Sequence, residues 1–303
     1  MKASFIIVTR NRKDDLAEAL ASILRQRYVP IDVIVVDNAS TDGTSEVFGR
    51  GEFGNSAIRY VRLEENRGVS GGRNAAIQQA QGTVIIALDD DAVLRDQDAT
   101  GRVVDFFRSN PDVGILASKV VNYYTGKLQV NAFPCRAKSA NPDIQFETTW
   151  FIGAGHAIRR EVFDKIGLYR DFFPWGSEEL DLSFRALDAG YRIMYFPQLV
   201  VYHKQSPAAR IEDRTIFEAI ALKHRIKAAI LNLPWRYVLT YSIVWSTAHL
   251  ALKSRLGATG SPRVVLLAYY YLFKEMSALR IARQPILKET LQKIARLNGP
   301  LFY

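Results

Sequence analysis

TVIIALDDD, residues 83–91, is the stretch of this 303-residue chain that decides its fold. Five apolar residues lead without a break into three aspartates, Asp89, Asp90 and Asp91. A short apolar run of this kind is typical of a buried strand, so the aspartates should lie just beyond its carboxyl end. The stretch therefore predicts one strand of a layered α/β sheet, with a polar edge where the strand ends.

Strand and helix patterns alternate on the amino-terminal side of this stretch. Strands are predicted for residues 4–9, 31–36 and 58–63, and helices for 14–25, 44–48 and 71–80. This alternation predicts parallel βαβ units with right-handed crossovers. Ligands of such sheets bind outside the carboxyl ends of the strands.

Polar clusters follow three of the predicted strands. Thr9, Arg10 and Asn11 follow the first strand, Asp37 and Asn38 follow the second, and the three aspartates follow the fourth. Because the carboxyl ends of parallel strands share one sheet edge, we expect these clusters to meet there. Their convergence is the main indication of a functional site.

The aspartates and Asp37 each allow two interpretations. Clustered carboxylates repel one another unless a cation or good donors neutralise them, and their hard oxygens suit Mg²⁺ or Mn²⁺. A solvated loop or a helix N-terminus explains the same cluster without metal. Asp37 could accept hydrogen bonds from a base or ribose, or it could cap the following turn.

Gly68, Gly71 and Gly72 precede Arg73 at the start of the third predicted helix. A glycine-rich lead into a helix N-terminus can accommodate phosphate. The spacing differs from the dinucleotide fingerprint, and the chain has no Walker-type Gly-Lys-Ser/Thr sequence. A nicotinamide-dependent dehydrogenase and a P-loop kinase are therefore disfavoured.

Glu178, Glu179 and Asp181 crowd the start of a helix predicted for residues 178–189. The helix dipole favours acids in a first turn, which explains them fully without any function. A general base in a cleft is the functional interpretation, since a neighbouring carboxylate would raise its pKa towards a useful range.

The remaining chain is mixed and then helical. Residues 122–149 are rich in loop residues, residues 191–202 form two strand-like runs broken at Pro197, and residues 212–303 follow a helical pattern. Sixteen uncharged residues, 237–252, are fewer than the about 20 needed for a membrane span, so an in-plane or core helix is favoured.

Charge and cysteine usage narrow the function classes. The net charge is +9, and the basic excess lies from His203 onward, which suits phosphates, nucleic acid or anionic lipid. The single cysteine, Cys135, excludes an intramolecular disulfide and a cysteine-based zinc site. With no signal-peptide pattern at the start, we expect the chain in the cytoplasm. Its basic, aromatic tail suits a position at the inner face of the cell membrane.

The motif order resembles the inverting family 2 glycosyltransferases of the GT-A fold. The motifs are IVTRNR (7–12), VVDNASTDG (35–43), ENRGVSGGRN (65–74), LDDD (88–91), WGSEELDLSFR (175–185) and FPQLVVYH (196–203). Together they cover about residues 3–205. The resemblance implies an α/β, Rossmann-like, mixed and mainly parallel sheet flanked by helices over residues 1–211, with a helical extension over 212–303 that contacts a membrane surface.

The resemblance also implies roles for individual residues. A nucleotide sugar would be held by Thr9, Arg10, Asn11, Asp37, Asn38, Arg73, Asp89 and Asp90. Mn²⁺ or Mg²⁺ would be ligated by Asp91 and His203. The catalytic base would be Glu179, with Glu178 and Asp181 left open as alternatives. The acceptor side would be lined by Gly153, Ala154, Gly155 and Trp175.

The implied activity is transfer of a sugar, with inversion, onto an acceptor hydroxyl. Similarity to bacterial rhamnosyltransferase-like members favours dTDP-rhamnose as donor, with UDP-sugars close behind. The acceptor would be a saccharide or a lipid-linked molecule in cell-surface polysaccharide or glycolipid assembly. Two other functions stay open: a nucleotidyltransferase that makes nucleotide sugars, and a non-enzymatic basic module that binds membrane or nucleic acid. The acidic strand-end edge argues against nucleic acid as a partner.

Overall fold

A computed structural model describes residues 1–49, 57–135, 140–204, 214–255 and 262–298. The strands in these ranges are β1 (Ala3–Thr9), β2 (Ile31–Asp37), β3 (Ile58–Arg62), β4 (Val84–Leu88), β5 (Ala92–Leu94), β6 (Val113–Asn122), β7 (Phe146–Thr148), β8 (Gly155–Arg159) and β9 (Arg192–His203). The helices are α1 (Lys13–Leu24), α2 (Thr44–Gly49), α3 (Gly68–Gln79), α4 (Ala99–Ser109), α5 (Arg160–Ile166), α6 (Glu178–Asp188), α7 (Arg214–Asn232), α8 (Trp235–Arg255), α9 (Pro262–Ala282) and α10 (Lys288–Asn298).

The strands form one sheet in the order β3-β2-β1-β4-β8-β6-β9-β5, with β7 paired to β9. β1 runs parallel to β2 and β4, β2 to β3, and β6 to β9. β8 lies antiparallel between β4 and β6, and β5 and β7 run antiparallel to β9. The expected mixed, mainly parallel α/β sheet is confirmed. β4 lies near the centre of this sheet, and every residue of β4 is buried.

The carboxyl ends of the parallel strands lie at one edge of the sheet, as predicted. Thr9 and Asp37 are opposite each other at the ends of β1 and β2. Leu88, the last residue of β4, lies opposite Gly155 at the start of β8. His203 ends β9 beside Ala92, the first residue of β5. This edge carries the candidate site.

The start of α3 differs from the prediction. The helix begins at Gly68, three residues before the predicted start at Gly71, and the φ of 70° at Gly68 suits glycine. A β-carbon on Gly72 would collide with Val8, so this glycine allows α3 to pack closely on β1. The backbone N–H of Val69 donates to the carbonyl of Pro174. The first turn of α3 therefore packs against the loop before α6, and a phosphate site at this turn stays a prediction.

Pro197 does not separate two strands, which corrects the prediction for residues 191–202. β9 runs continuously past it, and the pairing with β6 jumps from Ser118–Phe196 to Lys119–Val200. The extra residues of β9 form a bulge, where a proline without an N–H is tolerated.

The C-terminal helices share their hydrophobic core with the sheet. One cluster of buried residues includes Val36 of β2, Leu182 of α6, Ile226 of α7 and Leu272 of α9. The helical tail is confirmed within the described ranges, but α7 to α10 pack as part of the sheet domain. The predicted boundary at residue 211 lies outside the described residues. None of the described helices is both long and apolar enough to cross a membrane.

Candidate active site

A possible cation site lies where β4 and β9 end. Asp89, Asp91 and His203 each offer one atom that could ligate a metal, and these three atoms lie within 4.8 Å of one another. The sheet creates this cluster, because β5 turns back from the aspartates and pairs with the end of β9. The backbone N–H of Lys204 also donates to the carbonyl of Asp91 at 2.9 Å. Two carboxylates and an imidazole are thus held by backbone pairing.

Hydrogen bonds orient the imidazole of His203 between two partners. Its Nε2 lies 3.3 Å from Oδ1 of Asp91, and its Nδ1 lies 3.2 Å from Oε1 of Gln129. Burial works to lower the pKa of His203, but the hydrogen bond to Asp91 and the charge of Asp89 raise it overall. Burial works against ionisation of Asp91, but His203 and Arg12 lower its pKa overall. Gln129 was not predicted, and no sequence pattern marks it.

Asp90 turns to different partners. Its Oδ2 accepts a hydrogen bond from Oγ1 of Thr9 at 2.9 Å, and its Oδ1 lies 3.1 Å from Nη1 of Arg12. Burial raises the pKa of Asp90 to about 7, despite the nearby Arg12 guanidinium. Thr9 and Asp90, both predicted to bind the nucleotide sugar, therefore bind each other.

Arg12 is a site residue that the sequence reasoning missed. Its Nη1 lies 2.7 Å from Oδ2 of Asp91 as well as near Asp90. The side chain is largely buried, and it balances part of the negative charge of the aspartates. Its position shortly after a strand end, opposite an acidic cluster, is the only signal that could have indicated this role.

Arg73 connects the aspartate edge to helix α6. Its Nη1 lies 2.9 Å from Oε1 of Glu179, and its Nη2 lies 3.2 Å from Oδ1 of Asp89. The same Nη2 donates to the carbonyl of Gly153 at 3.1 Å. A β-carbon on Gly153 would collide with both Glu179 and Arg73, so only glycine leaves room for this arrangement. Arg73, predicted to hold the nucleotide sugar, is thus itself ion-paired to Asp89 and Glu179, and its Nη1 also lies 3.5 Å from Oε1 of Glu178.

Glu178 and Glu179 differ in their environments. Glu178 is buried, and this burial together with the adjacent Glu179 carboxylate raises the pKa of Glu178 well above its ordinary value. Glu179 is less buried, with 13% of its side chain exposed. Of the two carboxyl groups, Glu179 is the one more open to a bound acceptor.

Asp181 is placed differently from the two glutamates. Its carboxylate is fully buried and accepts from Arg170 and Arg185, each at 2.9 Å, and from Asn232 at 2.8 Å. These partners fix α6 against α7 and the preceding loop. The placement corresponds to a structural role and not to a base that meets substrate.

The turn before α6 is conformationally unusual. Gly176 and Ser177 both have φ of 72°, and Ser177 is one of few non-glycine residues with positive φ in the described chain. A left-handed serine is unfavourable by itself, so surrounding contacts must hold it. This turn sets the direction in which Glu178 and Glu179 leave the loop.

The predicted nucleoside side is already hydrogen-bonded internally. Asp37 is fully buried and accepts from the backbone N–H of Ser40 and the hydroxyl of Tyr60. Asn38 donates to the carbonyl of Gly68 at 2.8 Å and accepts from the N–H of Arg67. Asp37 therefore matches the turn-capping interpretation.

Asn11 and Arg10 lie at the surface of the same edge. Asn11 has a left-handed φ of 54°, and its Oδ1 accepts from the backbone N–H of Thr41 at 2.7 Å. Arg10 is exposed. Of the residues predicted to hold the nucleotide, Arg10 and Asn11 are exposed and Asp89 is partly exposed.

The predicted acceptor side lies beside these groups. Gly153 contacts Arg73, while Ala154 accepts the backbone hydrogen bond of Asp89 at 3.2 Å. Gly155 packs against Val201, where a β-carbon would collide. These three residues thus shape the floor of the site beneath Asp89.

Trp175 is attached to α7. Its ring stacks on Phe217 at a centroid distance of 4.5 Å, and its carbonyl accepts from Nδ1 of His224 at 2.6 Å. Nζ of the buried Lys227 donates to the carbonyl of Phe172 at 2.7 Å. The loop that leads into Glu178 and Glu179 is therefore held by the C-terminal helices.

Comparison with known sequences identifies relatives of this chain. Residues 4–167 match the family model described as "Glycosyl transferase family 2". An uncharacterized protein of Haemophilus influenzae is 32% identical over 167 residues, which are 54% of this chain and 90% of that protein. A poly-β-1,6-N-acetyl-D-glucosamine synthase of Staphylococcus aureus is 30% identical over 111 residues, 37% of this chain. The match spans only 26% of the length of that synthase.

Solved structures share the fold. A mannosyltransferase of Pyrobaculum calidifontis, solved with GDP-Man and Mn²⁺, has a TM-score of 0.61 at 21% identity, covering 97% of this chain and 83% of that one. TarS of S. aureus, residues 1–349 with UDP-GlcNAc, has a TM-score of 0.59 at 18% identity, covering 83% of this chain and 73% of that one. At these identities the likeness extends to the fold alone.

Proposed function

The chain belongs to glycosyl transferase family 2, and we propose that it transfers a sugar, with inversion, from a nucleoside-diphosphate sugar to an acceptor hydroxyl. The observation that carries this proposal is the position of Asp89. It belongs to the possible cation site with Asp91 and His203, and it shares the Arg73 guanidinium with Glu179. A leaving-group site and a proton acceptor are thus adjacent.

Asp89, Asp91 and His203 fit a divalent cation. Two carboxylates and one imidazole suit Mn²⁺, and Mg²⁺ would use the carboxylates with waters and phosphate oxygens. Gln129 orients the imidazole so that Nε2 faces Asp91, as partners of metal-bound histidines commonly do. A bound cation would neutralise charge that develops on the departing diphosphate. The Mn²⁺ complex of the Pyrobaculum relative supports the proposal.

Glu179 is the proposed general base. Its carboxylate accepts the proton of the acceptor hydroxyl while that oxygen forms a bond to the anomeric carbon. The bond from the anomeric carbon to the phosphate oxygen breaks on the opposite face, and the nucleoside diphosphate leaves with the electron pair. A single displacement of this kind inverts the anomeric centre. Arg73 holds Glu179 and Asp89 in register for this step.

UDP-sugars and dTDP-rhamnose are the proposed donors. The S. aureus relative is a synthase of poly-β-1,6-N-acetyl-D-glucosamine, and TarS binds UDP-GlcNAc. These names support UDP-N-acetylhexosamine, while the resemblance to rhamnosyltransferases supports dTDP-rhamnose. We propose a saccharide or lipid-linked acceptor in cell-surface polysaccharide or glycolipid assembly.

Thermal stabilisation by candidate donors tests the proposal. dTDP-rhamnose, UDP-GlcNAc, UDP-glucose and GDP-mannose would each be added with and without Mn²⁺. A ligand at about 100 times its Kd stabilises the folded state by about 2.7 kcal/mol, which raises the Tm of a chain of this size by several degrees. We expect one donor class to give an Mn²⁺-dependent increase in Tm. The same donor should be hydrolysed slowly with inversion at the anomeric carbon, as measured by NMR of the released sugar. Pyrophosphate release from a nucleoside triphosphate and a sugar phosphate would instead identify a nucleotidyltransferase.

A further inference from the structure

Helices α8 and α9 carry a large apolar surface that faces solvent. Leu239 and Ile243 of α8 are 64% and 54% exposed, one helical turn apart. On α9, Leu266 is 70% exposed and Phe273 is 79% exposed, two turns apart on the side opposite its buried residues. Trp235 and Tyr270 extend the same surfaces and are each about half exposed. We call these six residues the α8–α9 face.

The charges on these two helices have one sign. α8 contains no acidic residue, and the one acid of α9, Glu275, forms ion pairs with Lys223 and Lys227 of α7. Among the side chains of α8 and α9 that the structure describes, the exposed charged ones are therefore basic: Arg236, Arg263, Lys274 and Arg280. Nζ of Lys274 lies 4.4 Å from the ring centroid of Tyr270, so cation and aromatic ring stand together at the edge of the face.

The two helices contact each other, and α8 also contacts α7. The hydroxyls of Ser246 on α8 and Tyr269 on α9 are 3.1 Å apart. At the same end of α8, Nε2 of His249 lies 3.7 Å from Oε2 of Glu218 on α7. Glu218 is the neighbour of Phe217, whose ring stacks on Trp175. Helix α8 is thus connected to the loop that leads into Glu179 through α7, which contacts both.

We propose that the α8–α9 face docks on an anionic lipid bilayer. Large apolar and aromatic side chains would enter the interface, and Arg and Lys at their edge would meet acidic headgroups. A second copy of the chain is a poorer partner, because two such faces would oppose basic residues with no exposed acid on either helix. Docking is argued from these side chains and does not depend on the proposed function. The inference that a docked protein would use a lipid-linked acceptor does depend on it.

Vesicle co-sedimentation of the full chain tests docking. We expect binding to vesicles of phosphatidylcholine with roughly one third phosphatidylglycerol, and at least tenfold weaker binding to phosphatidylcholine alone, since each basic residue near an anionic surface strengthens binding about fivefold. Raising salt should weaken binding to the anionic vesicles.

Paired variants locate the contact. Leu266→Ser with Phe273→Ser should weaken binding to anionic vesicles at least about tenfold, because two large apolar side chains no longer enter the interface. Both residues are exposed, so the Tm should change little. Val130→Ser is the matched apolar control, since Val130 is 79% exposed but lies outside α8 and α9. Lys274→Glu should weaken binding, and Lys127→Glu, a reversal of an exposed charge elsewhere, should not.

In the vesicle assay, docking would be overturned by no binding of wild type to anionic vesicles, or by binding that the Leu266→Ser and Phe273→Ser pair leaves unchanged. A wild-type dimer in sedimentation velocity that this pair dissociates would show that the face joins two copies, and would overturn it as well. Donor-dependent Tm shifts and donor hydrolysis need no vesicles. Their loss would count against the proposed function and not against docking.

Discussion

Nη1 of Arg73 lies 2.9 Å from Oε1 of Glu179, so the proposed base is ion-paired to a buried guanidinium that also contacts Asp89. A carboxylate held in this way is positioned before any acceptor arrives. Placement of a reacting group accounts for a large part of many catalytic rate enhancements. The pair therefore joins the proton-accepting side of the site to the side that would hold the leaving group.

Glu179→Gln should abolish most turnover while sparing donor binding. An amide of the same size cannot accept the proton of the acceptor hydroxyl, and general bases typically contribute about 10²–10⁴-fold. kcat should fall by that factor, and the donor-induced Tm shift should persist. Glu178→Gln is the control: burial and the neighbouring carboxylate raise the pKa of Glu178, so the neutral amide resembles its protonated form and kcat should fall less than about tenfold. Near-normal turnover by Glu179→Gln would move the base elsewhere.

Asp91→Ala should abolish the response to metal. The substitution removes one of the three donor atoms that lie within 4.8 Å of one another, and it frees Arg12 to pair with Asp90 alone. Calorimetric titration should show no Mn²⁺ binding in the presence of nucleoside diphosphate, and transfer should be lost. Asp105→Ala is a matched control, because Asp105 is exposed, lies on α4 and pairs with Arg108 in the same helix. Mn²⁺ binding that survives in Asp91→Ala would place the cation at another site.

Asp181→Asn should act on folding rather than on chemistry. It removes a buried charge that sits between Arg170 and Arg185, and breaking a buried ion pair on one side costs roughly 3–5 kcal/mol. Urea unfolding should show a loss of that order. The folded fraction should keep its pH profile of kcat, whereas a changed profile would restore Asp181 as a candidate base. Glu161→Gln, at an exposed position, should change stability by less than about 0.5 kcal/mol.

His224 should make the protein less stable in mild acid. Burial lowers the pKa of His224 to about 3, and nearby lysines act in the same direction. An unfolded histidine has a pKa near 6.5, so between about pH 6.5 and 3 the unfolded state binds more protons and stability falls as the pH falls. At pH 5 the loss is about 2 kcal/mol relative to neutral pH.

Replacement of His224 by Asn measures this effect. The amide can still donate to the carbonyl of Trp175, but it does not titrate. Tm measured between pH 7.5 and 5 should therefore fall less in the variant than in wild type. Other buried histidines contribute equally to both proteins and cancel in the comparison. An identical pH dependence would show that His224 is not the group that binds protons on unfolding.

The sheet edge was predictable from sequence because strand ends in a parallel sheet must converge. Three local patterns sufficed to bring Thr9, Asp37 and the aspartates together. Their individual partners were not predictable, since hydrogen bonds between distant segments leave no periodic signal. Asp37 binds Tyr60, and Asp90 binds Arg12, through contacts that only the tertiary structure creates.

The start of α3 and the continuity of β9 were mispredicted for a similar reason. Gly72 permits close packing of α3 on β1, a role that its place in a glycine-rich stretch does not reveal. Pro197 would break an isolated strand, but a bulge absorbs it in the sheet. In both cases packing decided what local propensity had left open.

Attachment of the loop before α6 to α7 has a consequence for engineering. His224 and Lys227 hold the carbonyls of Trp175 and Phe172, and on its other side the same loop covers the first turn of α3. In a chimera that takes its C-terminal helices from a relative, α7 would not match this loop unless residues 172–177 were exchanged together with the helices. Acceptor preference and tail identity should therefore transfer together in hybrid enzymes, not one at a time.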